Sequence, residues 1–240
     1  MLRYFINFLY PPRCAGCGAR MPLESSRKVC LDCIAGIDRL HEPLCAVCGV
    51  PLAEADRNWC AACVKSPPHF GIARAVSRYR PGRDEDSQTV PSIIRRHKYG
   101  RDQSLAPALA ECVGAHLPLG EIAYDVVIPV PLHRARLRWR GFNQAALLGT
   151  TVARMLNCPI DVAALIRTRA TTPQTWRDHD QRRRNVRRAF AVARPDRVVN
   201  RRVLVVDDVM TTGATADECA RTLLAAGARR VDILTLVRAV

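Results

Sequence analysis

The rhythm of apolar and polar positions changes near residue 70. Before it, apolar residues come singly among regularly spaced cysteines; after it, apolar runs and helical periodicities alternate. IARAVSRYR at Ile72–Arg80 alternates as a strand does, and SIIRRHKYG at Ser92–Gly100 reads as a short helix ended by its glycine. Leu105–Leu117 has helical periodicity, and YDVVIPV at Tyr124–Val130 reads as a strand. Gly141–Leu156 is helical up to Asn157, Asp161–Ile166 is a weaker strand, and Val203–Val206 is a short, fully apolar strand. A helix over Ala214–Ala226 ends at Gly227, and Val231–Val237 is a last apolar strand. Strands that alternate with helices imply right-handed crossovers and a parallel sheet flanked by helices, the α/β class. Ligands of such sheets bind at the carboxyl ends of the strands, where Asp207 and Asp208 fall.

The remaining segments read as connections. VKSPPHFG at Val64–Gly71 is a linker with a Pro-Pro turn, and RPGRDEDSQTVP at Arg80–Pro91 is a solvated loop. The opening MLRYFINFLYPPRC is expected to pack on the body as a short helix or strand, because its apolar patch is too short for an export signal. No apolar run approaches the roughly 18 residues of a membrane span, so no membrane insertion and a cytoplasmic location are expected.

Four CxxC pairs fill the first part: CAGC (Cys14, Cys17), CLDC (Cys30, Cys33), CAVC (Cys45, Cys48) and CAAC (Cys60, Cys63), with gaps of 12, 11 and 11 residues. This is an internal repeat. Each unit opens with CxxCG, and Gly18 and Gly49 allow a tight backbone knuckle. Two CxxC turns complete a tetrahedral S₄ site, and a redox CxxC would not need four copies. Cys14, Cys17, Cys30 and Cys33 are assigned to one zinc and Cys45, Cys48, Cys60 and Cys63 to a second; an interleaved cross-brace is the alternative, and the glycine-bearing knuckle that opens each unit favours the sequential pairing. Such sites are closed, hence structural. Two units are expected: a double zinc ribbon over residues 1–68 and an α/β domain over 69–240.

Charge separates the two parts. The chain carries +15, and 34 of its 37 basic residues are Arg. Residues 1–70 hold 8 basic and 6 acidic side chains, whereas residues 71–240 hold 29 and 16, so nearly all the excess lies in the second part. Eight thiolates with two zinc ions make the ribbons slightly acidic, a poor grip for a phosphate backbone. Residues 167–202 contain 12 Arg against Asp178, Asp180 and Asp196, and Arg134, Arg136, Arg138 and Arg140 form another cluster. Trp139, Phe142 and Trp176 sit among these arginines, where they either anchor the core or stack bases. A polyanionic ligand or a DNA strand suits this surface.

The chemistry concentrates in VLVVDDVMTTGAT, Val203–Thr215. After the strand the chain enters a helix within a few residues, so MTTGAT lies at a helix N-terminus, whose free N–H groups and dipole suit a phosphate. Thr211, Thr212 and Thr215 add hydroxyl donors, and Gly213 lets the backbone close around an anion. The two carboxylates suit neutral hydroxyls, such as a ribose diol, and a hard cation such as Mg²⁺. A phosphate cradle and a diol clamp in one loop describe a ribose 5-phosphate site.

Strand, acid pair, Thr/Gly loop and helix in this order resemble the phosphoribosyl pyrophosphate (PRPP) signature of type I phosphoribosyltransferases. The whole chain resembles the ComF (ComFC-like) competence family, which joins a double zinc ribbon to such a domain. PPRCAGCG at Pro11–Gly18, HKYG at His97–Gly100, IPVPLHRARLRWRGFNQA at Ile128–Ala145 and RRRNVRRAF at Arg182–Phe190 carry the resemblance over nearly the full length. It implies that Asp207 and Asp208 contact ribose hydroxyls with Mg²⁺ alongside, and that Val209, Met210, Thr211, Thr212, Gly213, Ala214 and Thr215 form the turn that holds the 5′-phosphate. It further implies that Pro131, Leu132 and His133 form a pyrophosphate loop. Arg169–Asn185 would be a mobile cover, with Gln174, Arg182 and Asn185 matching the family pattern. RPGRDEDSQTVP departs from that pattern, where members have a short Gly-Pro-Leu turn. The expected function is a PRPP-binding, phosphoribosyltransferase-like protein linked to DNA uptake, beside single-stranded DNA and a competence helicase. The alternative is a non-catalytic single-stranded DNA binder with a vestigial or sensory PRPP site.

Overall fold

The computed structural model describes residues 11–80, 89–100, 102–120, 122–170 and 179–240. The predicted N-terminal element, Gln174 and Trp176 lie outside these residues, as does the middle of the predicted loop at Arg80–Pro91.

The two cysteine units are copies of one fold. In the first, Gly18 N–H donates to Cys14 O (2.9 Å) and Ala15 N–H to Lys28 O (2.8 Å); in the second, Gly49 N–H donates to Cys45 O (2.9 Å) and Ala46 N–H to Asn58 O (2.8 Å). Gly18 and Gly49 have φ of 75° and 67°, the left-handed conformation the knuckle requires. Each unit ends in a one-turn helix, α1 (Leu31–Ala35) and α2 (Ala61–Lys65), that starts at a cysteine.

The body is a four-stranded parallel sheet in the order β1 (Ala73–Tyr79), β6 (Arg230–Ala239), β5 (Arg202–Met210), β2 (Val126–Pro129). Alternate residues of β5 face opposite layers, as the pleat dictates. Leu204 and Val206 pack with the first ribbon and with helices α3 (Thr89–Tyr99), α4 (Ala106–Ala115) and α6 (Gln144–Met155). Val203 and Val205 pack with the second ribbon and with helix α8 (Ala214–Ala225). Strands buried on both faces read as continuous apolar runs, which is why Val203–Val206 was legible.

Several features differ from the sequence expectation. Strand β5 does not stop at Val206: it continues to Met210, because the long β6 pairs with it beyond the acids, Asp207 opposite Thr235 and Met210 opposite Arg238. Instead of a strand over Asp161–Ile166, Ile160 alone bridges to Val127, and β3 (Leu165–Arg167) pairs antiparallel with β4 (Phe190–Val192) in a separate two-stranded sheet. Part of the predicted cover over Arg169–Asn185 is helix α7 (His179–Val186). Arg134–Arg140 form helix α5, which Gly141 ends at φ 86°, so the following helix starts only at Gln144. Helix α3 also reaches back to Thr89, because Pro91 fits a first turn where its missing N–H costs nothing.

Candidate functional site

The end of β5, the turn Thr211–Gly213 and the start of α8 form the floor of a cavity of about 580 Å³. Asp207 and Asp208 line it, as do Val209, Met210, Thr211, Thr212, Gly213, Ala214 and Thr215. Gly213 holds φ 81° at the helix N-cap, and Ala214 N–H donates to Thr212 Oγ1 (3.3 Å). The turn is thus closed by its own side chain, and the α8 N-terminus opens on the cavity.

The two carboxylates have different surroundings because adjacent strand residues point to opposite faces. Asp208 is buried and receives the Lys98 ammonium at 2.8 Å and the Gln144 amide at 3.1 Å. Lys98 and Gln144 come from separate helices, α3 and α6, and a tilted ring pair lies beside them. The His97 ring lies 4.6 Å from Phe142, and its Nδ1–H donates to Asp102 O (2.7 Å). Burial lowers the His97 pKa, which favours the neutral ring. Asp207 accepts the Asp208 backbone N–H (2.8 Å). Burial and the neighbouring Asp208 charge raise its pKa to about 7, against the pull of Lys98.

Cations ring the rest of the cavity: Lys98 and Arg95 from α3, Arg136 from α5 and Arg167 from β3. Asn185, at the end of α7, also lines it. The Arg182 backbone lies on the same helix, while its side chain falls outside the described residues. Pro131, Leu132 and His133 are not among the lining residues; they form the turn between β2 and α5, with His133 Nδ1 accepting Ala135 N–H (3.3 Å). Val130, just before them, and Arg136, just after, reach the cavity instead. Arg136 belongs to the basic cluster expected to face a polyanion, whereas Lys98 and Gln144, within HKYG and IPVPLHRARLRWRGFNQA, carry no individual role in the sequence reading. Arg167 opens the arginine-rich stretch 167–202, but its place beside the acids is set by the β3–β4 strand pair that carries it.

The eight ribbon cysteines gather as two sequential sets, Cys14/Cys17/Cys30/Cys33 and Cys45/Cys48/Cys60/Cys63, with the sulfurs of each set within 4.8 Å of one another. Cys17 and Cys30 sulfurs are 3.9 Å apart, and those of Cys48 and Cys60 3.6 Å, against the roughly 3.8 Å edge of a tetrahedral zinc–thiolate site. Burial acts to raise the Cys14 and Cys45 thiols, but backbone N–H donors outweigh it and hold both at about 7. Burial and the crowding of neighbouring sulfurs push Cys33 and Cys63 up. Four sulfurs gathered and crowded in this way fit a dication, whose charge would hold all four as thiolates. Cys112 and Cys219 lie in the core and outside these sets, and Cys158 is half-buried.

The double zinc ribbon family model matches residues 5–64, and the phosphoribosyl transferase domain model matches residues 143–239. Together with the two four-cysteine sets, the first match supports structural zinc. DNA utilization protein YhgH of Escherichia coli O157:H7 is 35% identical over 91% of the chain and 94% of its own length. Competence protein F of Haemophilus influenzae is 29% identical over 98% and 99%, and competence protein ComFC of Bacillus subtilis 25% over 90% and 86%. No helix among the described residues is long and apolar enough to cross a membrane. A parallel sheet with an acid pair and a Thr/Gly turn at its carboxyl edge, two four-cysteine knuckle units and full-length relatives place the chain in the ComF competence-protein family: a double zinc ribbon joined to a phosphoribosyltransferase-fold domain.

Proposed function

We propose that the protein binds PRPP together with Mg²⁺ and serves DNA uptake or DNA handling, in line with what its relatives' names record. One observation carries the ligand assignment: the acid pair and the phosphate-type turn Thr211–Thr215 line the same cavity, which four cationic side chains complete. The turn and the α8 N-terminus suit the 5′-phosphate. Asp207 and Asp208 suit the ribose hydroxyls and are the residues that would hold the metal. The raised pKa of Asp207 fits this, since a cation beside it favours ionisation. Lys98, Arg95, Arg136 and Arg167 would neutralise the diphosphate, and in a transfer reaction the pyrophosphate leaving group.

PRPP with Mg²⁺ is expected to raise the melting temperature of the full chain, and the double variant Asp207→Asn/Asp208→Asn to abolish the rise. An unchanged wild-type melting temperature at millimolar PRPP rejects the assignment.

A nucleic-acid role is supported by a separate feature. Helix α5 exposes Arg134, Arg138 and Trp139 while Arg136 of the same helix lines the cavity. Basic side chains interleaved with an aromatic ring suit a single strand. On this reading single-stranded DNA, delivered beside a competence helicase, runs along the rim of the pocket, and the PRPP site acts as a sensor or as an active centre.

A further inference from the structure

Among the described residues, none that lines the cavity belongs to the ribbons, yet each ribbon is bonded to one of its walls. The first ribbon grips α3. Arg96 Nη1 donates to Ala15 O (2.8 Å), and Gly16 lies so close to Thr89 that an added Cβ would come within 3.0 Å of it. Glu111 of α4 accepts the N–H groups of Lys28 (2.8 Å) and Val29 (3.1 Å). Cys14 and Val29 share a buried cluster with Ile93 and Ile94 of α3. The same helix supplies Pro91, Ile94, Arg95 and Lys98 to the cavity, with Lys98 on Asp208.

The second ribbon sits behind the opposite wall. Ala73 N–H donates to Val47 O (2.6 Å) and Arg74 Nη1 to Ala46 O (3.2 Å), which fixes the knuckle on β1. Cys45, Cys48 and Cys63 belong to the buried cluster that contains Met210. Arg238 of β6 pairs in register with Met210 and is only 8% exposed. Its Nη1 donates to the carbonyls of Met210 and Thr211, the residues that open the turn. Arg238 itself does not line the cavity. In a trans peptide the C=O and the following N–H point in opposite directions, so a cation that holds Thr211 O from behind aims Thr212 N–H away from itself.

We propose that the two ribbons are positioning elements of the ligand pocket: the first sets the Lys98 helix through Arg96, and the second backs the phosphate turn through the packing of Met210, whose carbonyl Arg238 holds. The account of the pocket's ligand rests on the PRPP reading; the claim about which ribbon holds which wall does not.

Full-length Arg238→Met, Arg238→Lys and Arg96→Met variants test this, each assayed for zinc content, amide hydrogen exchange and PRPP–Mg²⁺ affinity. With two zinc ions retained, Arg238→Met is expected to speed exchange of the Thr212–Thr215 amides and to weaken PRPP about tenfold, the loss of one charge-assisted bond. Arg238→Lys, which keeps one donor, is expected to recover part of both. Arg96→Met is expected to speed exchange in residues 89–99 and leave the turn as in wild type. Unchanged turn exchange in a zinc-replete Arg238→Met protein overturns the proposal. If Arg238→Met does not fold, the turn exchange of Arg238→Lys decides: faster supports, unchanged overturns. If wild type fails to bind PRPP while Arg238→Met still loosens the turn, the ligand reading falls and the positioning role stands.

Discussion

Asp207 is an acid with too little to stabilise its charge. Burial and the carboxylate of Asp208 raise its pKa to about 7, far above the 3.8 of a free aspartate. The folded state therefore keeps a proton that the unfolded chain releases between about pH 4 and pH 7. Its contribution to stability is fully present below pH 4 and is lost as the pH rises through 7. Replacing Asp207 by Asn removes the titration and keeps the shape. The variant is expected to melt higher than wild type at pH 8, by on the order of 2 °C or more, and to show a smaller gain at pH 5. Melting curves at the two pH values check this; a gain of equal size at both contradicts the raised pKa. A carboxyl with a raised pKa beside a cavity suits a ligand that supplies a cation.

At the scale of elements, the two ribbons repeat one backbone but not one environment. Gly18 and Gly49 have the same left-handed conformation. A Cβ on Gly18 would meet nothing within 4 Å, whereas one on Gly49 would lie 2.5 Å from Ala73 O, where the knuckle is pressed on β1. Gly18→Ala is expected to cost about 1 kcal/mol, the backbone penalty alone. Gly49→Ala is expected to cost clearly more, because the edge strand must also move. Denaturant titration of the two variants compares them, and equal losses would mean that the second ribbon is not tightly docked. The elements also show why β5 runs past the end its apolar run suggests. A polar pair interrupts the apolar run after Val206, so the strand reads as finished, although β6 supplies ladder partners as far as Met210. Similarly, Leu165–Arg167 and Phe190–Val192 find each other across more than twenty residues, a pairing that no local pattern announces.

For the whole molecule, the uneven charge is the main quantity. Residues 71–240 hold 29 basic against 16 acidic side chains, and part of that excess is displayed on α5 beside the cavity. If a single strand follows this face, its affinity falls linearly on a log–log plot against salt, by roughly 0.7 for each phosphate contact. The double variant Arg134→Ala/Arg138→Ala is expected to lower the slope by about 1 to 1.5. Fluorescence anisotropy of a labelled oligonucleotide at several salt concentrations measures it. A slope unaltered by the double variant would exclude α5 from the contact.

Much of this was legible because it is local chemistry. Four CxxC pairs state their metal site by spacing alone, since two cysteines on one turn must face the same point. The acid pair followed by a Thr/Gly loop suits a phosphate and a diol, because each residue type offers the complementary group within one turn. Neither statement needs the rest of the chain. What only the tertiary structure decided is which distant groups meet these. Lys98 and Gln144 converge on Asp208 from separate helices, Arg167 arrives on a strand pair of its own, and Arg238 reaches the Thr211–Gly213 turn from the neighbouring strand. Sequence spacing cannot encode such contacts, because they are fixed by strand register and layer packing, in which every residue's position depends on all the others.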